Sequence, residues 1–136
     1  MVMGQDTAKA PPKITSHRDL VVWQKAMDLT VEIYRLAGKL PSTETYRLGS
    51  QVTRAAASVA ANIAEGYARA TKKDYANFLA IAKGSLMEAE TFLTLATRLS
   101  FVSKEEAAST FNLITEISKM ITVLRQRILT AAEPPT

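Results

Sequence analysis

Cysteine is absent from the 136 residues, and histidine occurs once, at His17. The first absence excludes disulfide frameworks, thiol nucleophiles and thiolate metal sites. The second excludes ferritin-like di-iron bundles, which need paired Glu-x-x-His motifs. It also excludes helical ribonucleases that set Arg and His on one helix, because no His follows position 17. Glycine and proline are sparse, at five each. The glycines form no Walker loop, dinucleotide fingerprint or Gly-x-Ser-x-Gly elbow. Ser85 follows Gly84 with no His to activate it, and close helix packing explains it better. Strand alternation and Asn-Gly hairpins are missing, as is any apolar run long enough to span a membrane. The opening residues MVMGQDTAKAPPK lack the apolar core of a secretory signal, so a cytoplasmic location is expected.

Carboxylates are no better placed for metal chemistry. Glu88 and Glu90 stand two apart and point to different helix faces, while Glu105 and Glu106 sit where a helix cap belongs. The reading is therefore of a non-enzymatic protein with no cofactor and no metal site.

Apolar residues make up 47% of the chain, enough at this length for one domain with a real core. Residues 1–16, with Gly4, Pro11 and Pro12, read as a flexible leader, and 131–136, closing on Pro134-Pro135, as a flexible tail. Residues 17–130 carry four helical patterns separated by short breaks. Four such helices predict an all-α, antiparallel up-down-up-down four-helix bundle.

The first helix is expected over about Leu20 to Gly38. Trp23, Ala26, Met27, Thr30, Ile33, Tyr34 and Ala37 mark its core face by their spacing of three and four. Val22, Leu29 and Leu36 form a second apolar line, wider than one bundle needs, which predicts self-association. The second helix spans about Thr43 to Tyr67, with Leu48, Val52, Ala55, Val59 and Ile63 as its stripe. Its small-residue middle, AAASVAANIA, should make it the most enclosed of the four.

Thr71 and Asp74 signal the start of the third helix, whose core face runs Tyr75, Phe78, Leu79, Ala82, Leu86, Ala89, Leu93, Ala96. The fourth opens on the capping box Ser103-Lys104-Glu105-Glu106. Ile114, Ile117, Ile121, Leu124 and Ile128 follow at a/d spacing, widened by Leu113 and Met120.

The formal charge is +4, from 17 Lys and Arg against 13 Asp and Glu. It is spread thinly along the chain, and no segment is strongly basic. Such a surplus permits attraction to nucleic acid without marking a binding face. Arg69, Lys72, Lys73, Lys119, Arg125 and Arg127, near helix ends, are the candidates for phosphate contact. The late bases of the fourth helix are equally well explained by its dipole.

One pattern stands apart from an ordinary solvated surface. On the second helix Arg47, Gln51, Arg54, Ser58, Asn62, Glu65 and Arg69 share a narrow sector. Short amides, a hydroxyl and guanidinium groups suit specific hydrogen bonds. The stripe reads as a polar seam inside the bundle or oligomer, as a surface facing a ligand or nucleic acid, or as a plain solvated face. In the first case Arg54 should be held by a carboxylate, Glu88 before Glu65.

The words DLVVWQKAMDL, ETYRLGSQVTRAAASVAANIAEG and FLAIAKGSLMEAETFL resemble the family of 23S rRNA-intervening-sequence proteins, from about His17 to Leu129. Asn62–Gly66 and Gly84–Leu86 carry the more specific part. Arg47 stands where that family commonly has Gly, and Ala60 where it often has Pro. The resemblance implies a bacterial four-helix bundle assembling as a homopentamer. It supplies no catalytic residues. At matching positions Arg54, Ser58, Asn62, Glu65, Ser85 and Glu88 are its motif polar residues, structural or binding. Similar bundles accompany reverse transcriptases, so the expected partners are further copies of the chain, RNA or DNA, and a reverse transcriptase or other protein. The functional expectation is a nucleic-acid-associated scaffold or reverse-transcriptase accessory protein. The alternative is a protein-interaction adaptor that does not touch nucleic acid.

Overall fold

The computed structural model describes residues 13–131, and the greater part of the expected leader and tail lies outside them. Four helices carry the fold: α1 (Val21–Ala37), α2 (Ser50–Tyr67), α3 (Lys72–Arg98) and α4 (Lys104–Thr130). A 3-10 turn (His17–Asp19) precedes α1. A second turn (Ser42–Glu44) and a π-helical turn (Thr45–Gly49) lead into α2. The start expected at about Thr43 is thus helical in kind, but its first turns are wound tighter and then wider than an α-helix.

Capping follows the local chemistry. Ser103 Oγ accepts from the Glu106 N–H, and Glu106 returns the contact to the Ser103 N–H, at 3.0 and 2.9 Å. Ser16 and Asp19 make the same reciprocal box ahead of the first turn. At α3 only half of it forms: Thr71 Oγ1 accepts from the Asp74 N–H at 3.1 Å. In the α3–α4 link Ser100 adopts φ 62°, the left-handed region more usual for Gly just past a helix.

Backbone and side-chain hydrogen bonds hold the Glu106 carboxyl below the ordinary carboxylate range, the Ser103 N–H contributing most. Asp19 is lowered chiefly by the Thr15 N–H. A lowered folded-state pKa means stability that is full above the unfolded-state value and lost as pH falls through the folded one. Glu106→Gln should therefore flatten the acid side of a pH–stability profile while leaving the neutral side with the same slope. Urea midpoints measured from pH 2 to 7 check this.

The core is one cluster drawn from all four helices. Leu29, Ile63, Leu79, Leu86, Ile114, Ile117 and Ile121 are wholly inaccessible to solvent. The stripe expected on α2 is buried throughout, joined by Ala56, Ala60 and Gly66. Its small side chains let α3 come close. A Cβ added at Gly66 would stand 2.8 Å from the Phe78 Cβ.

On α1 the structure corrects the expected face. Val22, Ala26, Leu29, Ile33 and Leu36 are buried, whereas Met27 and Tyr34 are 43% and 59% exposed. The line Val22, Leu29, Leu36 therefore closes the core of the single chain and offers no seam to a second copy. An apolar face wider than 100° leaves its own centre undetermined, and the flanking α2 and α4 select the line between them. Thr30 lies at the α2 edge, its Oγ1 donating to Ala26 O at 2.8 Å and within 3.3 Å of Ala56 O.

Cross-helix contacts fix which ends meet. Lys25 pairs with Glu116, Glu32 accepts from Thr110, and Lys39 pairs with Glu106, so numbers rise on α1 as they fall on α4. Likewise Lys72 meets Ala131, Arg125 meets Ala76, and Lys83 meets Thr122. Ser58 faces Ser85 while Gly66 faces Tyr75 and Phe78. One end of the bundle thus gathers the start of α1, the end of α2, the start of α3 and the end of α4. No helix among the described residues is long and apolar enough to cross a membrane.

Candidate nucleic-acid interface

The polar stripe of α2 divides into a joined centre and exposed flanks, where Arg47 pairs with Glu44 and Arg69 with Glu65. Ser58 Oγ and Ser85 Oγ lie 2.8 Å apart, bridging α2 and α3. Asn62 Nδ2 donates to Ser58 O at 2.8 Å and lies 2.9 Å from Ser58 Oγ. Ser85 is buried, and no buried side-chain polar atom among the described residues lacks a partner. This triad works as a seam: burying its hydroxyls unpaired would cost about 1–3 kcal/mol each.

Arg54 does not take the role expected of it. It is exposed, and no carboxylate among the described residues lies within ion-pair distance. Glu88 is exposed on α3, and Glu65 pairs with Arg69 at 3.5 Å. Residues 54 and 58 share a sector of α2, yet the four-residue step carries Arg54 to its solvent edge. Arg54→Ala should shift unfolding free energy by about 0.5 kcal/mol or less, measured by urea denaturation.

The six cations proposed for phosphate contact are spread over both flanks of α4 and the adjoining ends of α2 and α3. Five lie at the end where α3 begins and α2 and α4 finish, and Lys119 sits further up α4. They differ in freedom. Arg69 lies 4.5 Å over the Phe78 ring in addition to its Glu65 contact. Lys72 Nζ donates to Ala131 O at 3.0 Å. Arg125 Nε donates to Ala76 O at 3.0 Å, which leaves its two terminal amino groups for other acceptors. Lys73, Lys119 and Arg127 are exposed with no ion pair among the described residues.

Lys119 and Arg127 rim an open groove of about 410 Å³ between α1 and α4, floored by Leu20, Val22, Met120 and Leu124. Lys73 and Arg125 line a second depression of about 280 Å³ with Asp74 and Asn77.

Sequence order hides how strongly the fold sorts charge. The half-bundle made of residues 13–27, 58–83 and 117–131 holds ten Lys and Arg but three Asp and Glu. The other half, residues 28–57 and 84–116, holds six against eight. Lys13, Arg18, Lys25 and Lys83 join the basic half although none was singled out, and Lys25 pairs across its edge with Glu116 at 3.1 Å. Arg18 precedes the first helix, and Lys83 lies mid-helix, donating to Thr122 Oγ1 at 2.6 Å. Only the folded arrangement of the helices groups them.

The rings of the basic half are occupied by one another. His17 and Trp23 meet edge to face at 5.0 Å, and Tyr67 and Tyr75 at 6.1 Å. Burial pushes the Tyr75 hydroxyl up from its ordinary pKa, with Tyr67 adding to the shift. The well-exposed aromatics are Tyr34 and Tyr46, at 59% and 91%, and both lie in the other half. No group of three or more His, Asp or Glu able to hold a metal ion occurs among the described residues.

Residues 18–123 match the model of a family described as 23S rRNA-intervening sequence protein. The chain is also similar to a crystal structure from Bacteroides thetaiotaomicron, described as a protein with unknown function from the S23 ribosomal protein family. The two share 28% identity at a TM-score of 0.72, over 77% of this chain and 98% of that one. No curated protein matches.

Proposed function

The chain belongs to the 23S rRNA-intervening sequence protein family, and from that premise we propose a non-enzymatic, nucleic-acid-associated scaffold. Antiparallel up-down-up-down bundles would assemble as a homo-oligomer, the pentamer being the expected form. The observation that carries this reading is the sorting of ten cations against three acids into one half of the bundle. A phosphate backbone is attracted to such a half and repelled by the other, so even a modest overall charge gives an oriented contact. Assembly multiplies weak contacts by raising the effective concentration of the second and later ones.

A gel shift at low salt with micromolar protein tests the binding. Retention of RNA or DNA that disappears as salt rises is expected, as is its loss in the double variant Lys73→Glu, Arg127→Glu. Arg98→Glu in the opposite half should leave retention unchanged. Light scattering should give about five times the 14.9 kDa chain mass. Absence of retention would transfer the assignment to a protein-interaction adaptor, which the exposed Met27, Val31 and Tyr34 on α1 favour as the second reading.

A further inference from the structure

Which form of nucleic acid suits the basic half follows from what that half lacks. Single strands are held by cations interleaved with exposed rings on which bases stack, each stack being worth about 1–3 kcal/mol. Here the cations and the exposed rings are segregated. Trp23, Tyr67, Tyr75 and Phe78 are part-buried and engaged with His17, with each other or with Arg69. Tyr34 and Tyr46 stand in the acidic half, where a polyanion is repelled.

Without stacking, affinity rests on the number of phosphates brought within reach. A duplex carries one charge per roughly 1.7 Å of axis and so offers a compact cation patch more phosphates than a single strand does. The helix-turn geometry at this end also limits any groove reading. Lys73, Arg125 and Arg127 lie on helices packed in the bundle, and among the described residues no separate helix or ribbon is available to enter a major groove.

Resting on the nucleic-acid reading above, we propose that the basic half docks on the phosphate backbone of double-stranded nucleic acid, independent of sequence and without base stacking. Lys73, Lys119, Arg125 and Arg127 are the contacting groups, with Arg125 steadied by its Nε bond to Ala76 O.

The test uses the full chain with a labelled RNA hairpin duplex and an unstructured RNA of equal phosphate number, followed by anisotropy at several salt concentrations. Trp23, the one tryptophan, lies in the basic half and reports stacking through its fluorescence. The duplex should bind several-fold tighter, with no quenching of Trp23 at saturation. Neutralising two contacts in Lys73→Gln with Arg127→Gln should reduce the log–log salt slope by about two.

Equal or tighter binding of the single strand with quenched Trp23 would overturn the duplex assignment and leave the nucleic-acid reading standing. Equal binding of polyglutamate would overturn it in favour of an acidic protein partner. Failure to bind either RNA would overturn both.

Discussion

Leu29→Ala is expected to lower the unfolding free energy by about 2–5 kcal/mol, the largest single effect we foresee on α1. Leu29 has no solvent exposure and lies in the cluster shared by the four helices. Its truncation removes buried methyl groups and leaves a cavity that close-packed neighbours fill only in part. Tyr34→Ala, at a site 59% exposed, should change stability by about 0.5 kcal/mol or less. Urea unfolding at one fixed protein concentration checks the pair, because oligomer stability depends on concentration. The reverse order would rotate α1 onto the face that its spacing of three and four suggested. Leu29 is thus a probe of the fold, and exposed Val31 or Tyr34 the appropriate probe of assembly.

The second large effect is a contrast between two glycines. Gly66→Ala should destabilise by about 1–3 kcal/mol, as overpacking does in a filled interior. Its new Cβ would meet the Phe78 Cβ at 2.8 Å and the Tyr75 carbonyl oxygen at 3.2 Å. The carbonyl belongs to a rigid helix and cannot step aside as a flexible side-chain end would. Gly84→Ala should instead stabilise α3 by about 0.5–1 kcal/mol, the cost of an interior helix glycine. Nothing lies within 4 Å of a Cβ placed there. Opposite signs in thermal unfolding would confirm that Gly66 marks the close α2–α3 approach and Gly84 does not.

Assignments that depended on one helix at a time were legible in the sequence. Ser103 and Glu106 form their box because its parts are three residues apart on a single chain. The stripes of α2, α3 and α4 were legible because each centres on one apolar line at helical spacing. Ser58 and Asn62 stood out by type as residues of a seam or a binding surface, and the link of Ser58 to Ser85, 27 positions away, makes them a seam. Arg54 shared their sector and not their burial. A helical wheel resolves direction about one axis but says nothing of where a neighbouring helix ends.

By itself, then, the sequence determined an all-α chain, its four helices, the N-caps of α3 and α4 and most of the core, since these rest on periodicity and contacts within a few residues. Only the tertiary structure decided which line of α1 faces inward, because that choice belongs to the helices flanking it. Only the tertiary structure, too, made a basic half of the bundle. Residues as far apart as Arg18, Lys73 and Arg127 come to one end of the bundle through the packing of the helices, and electrostatic fields add by distance in space rather than along the chain.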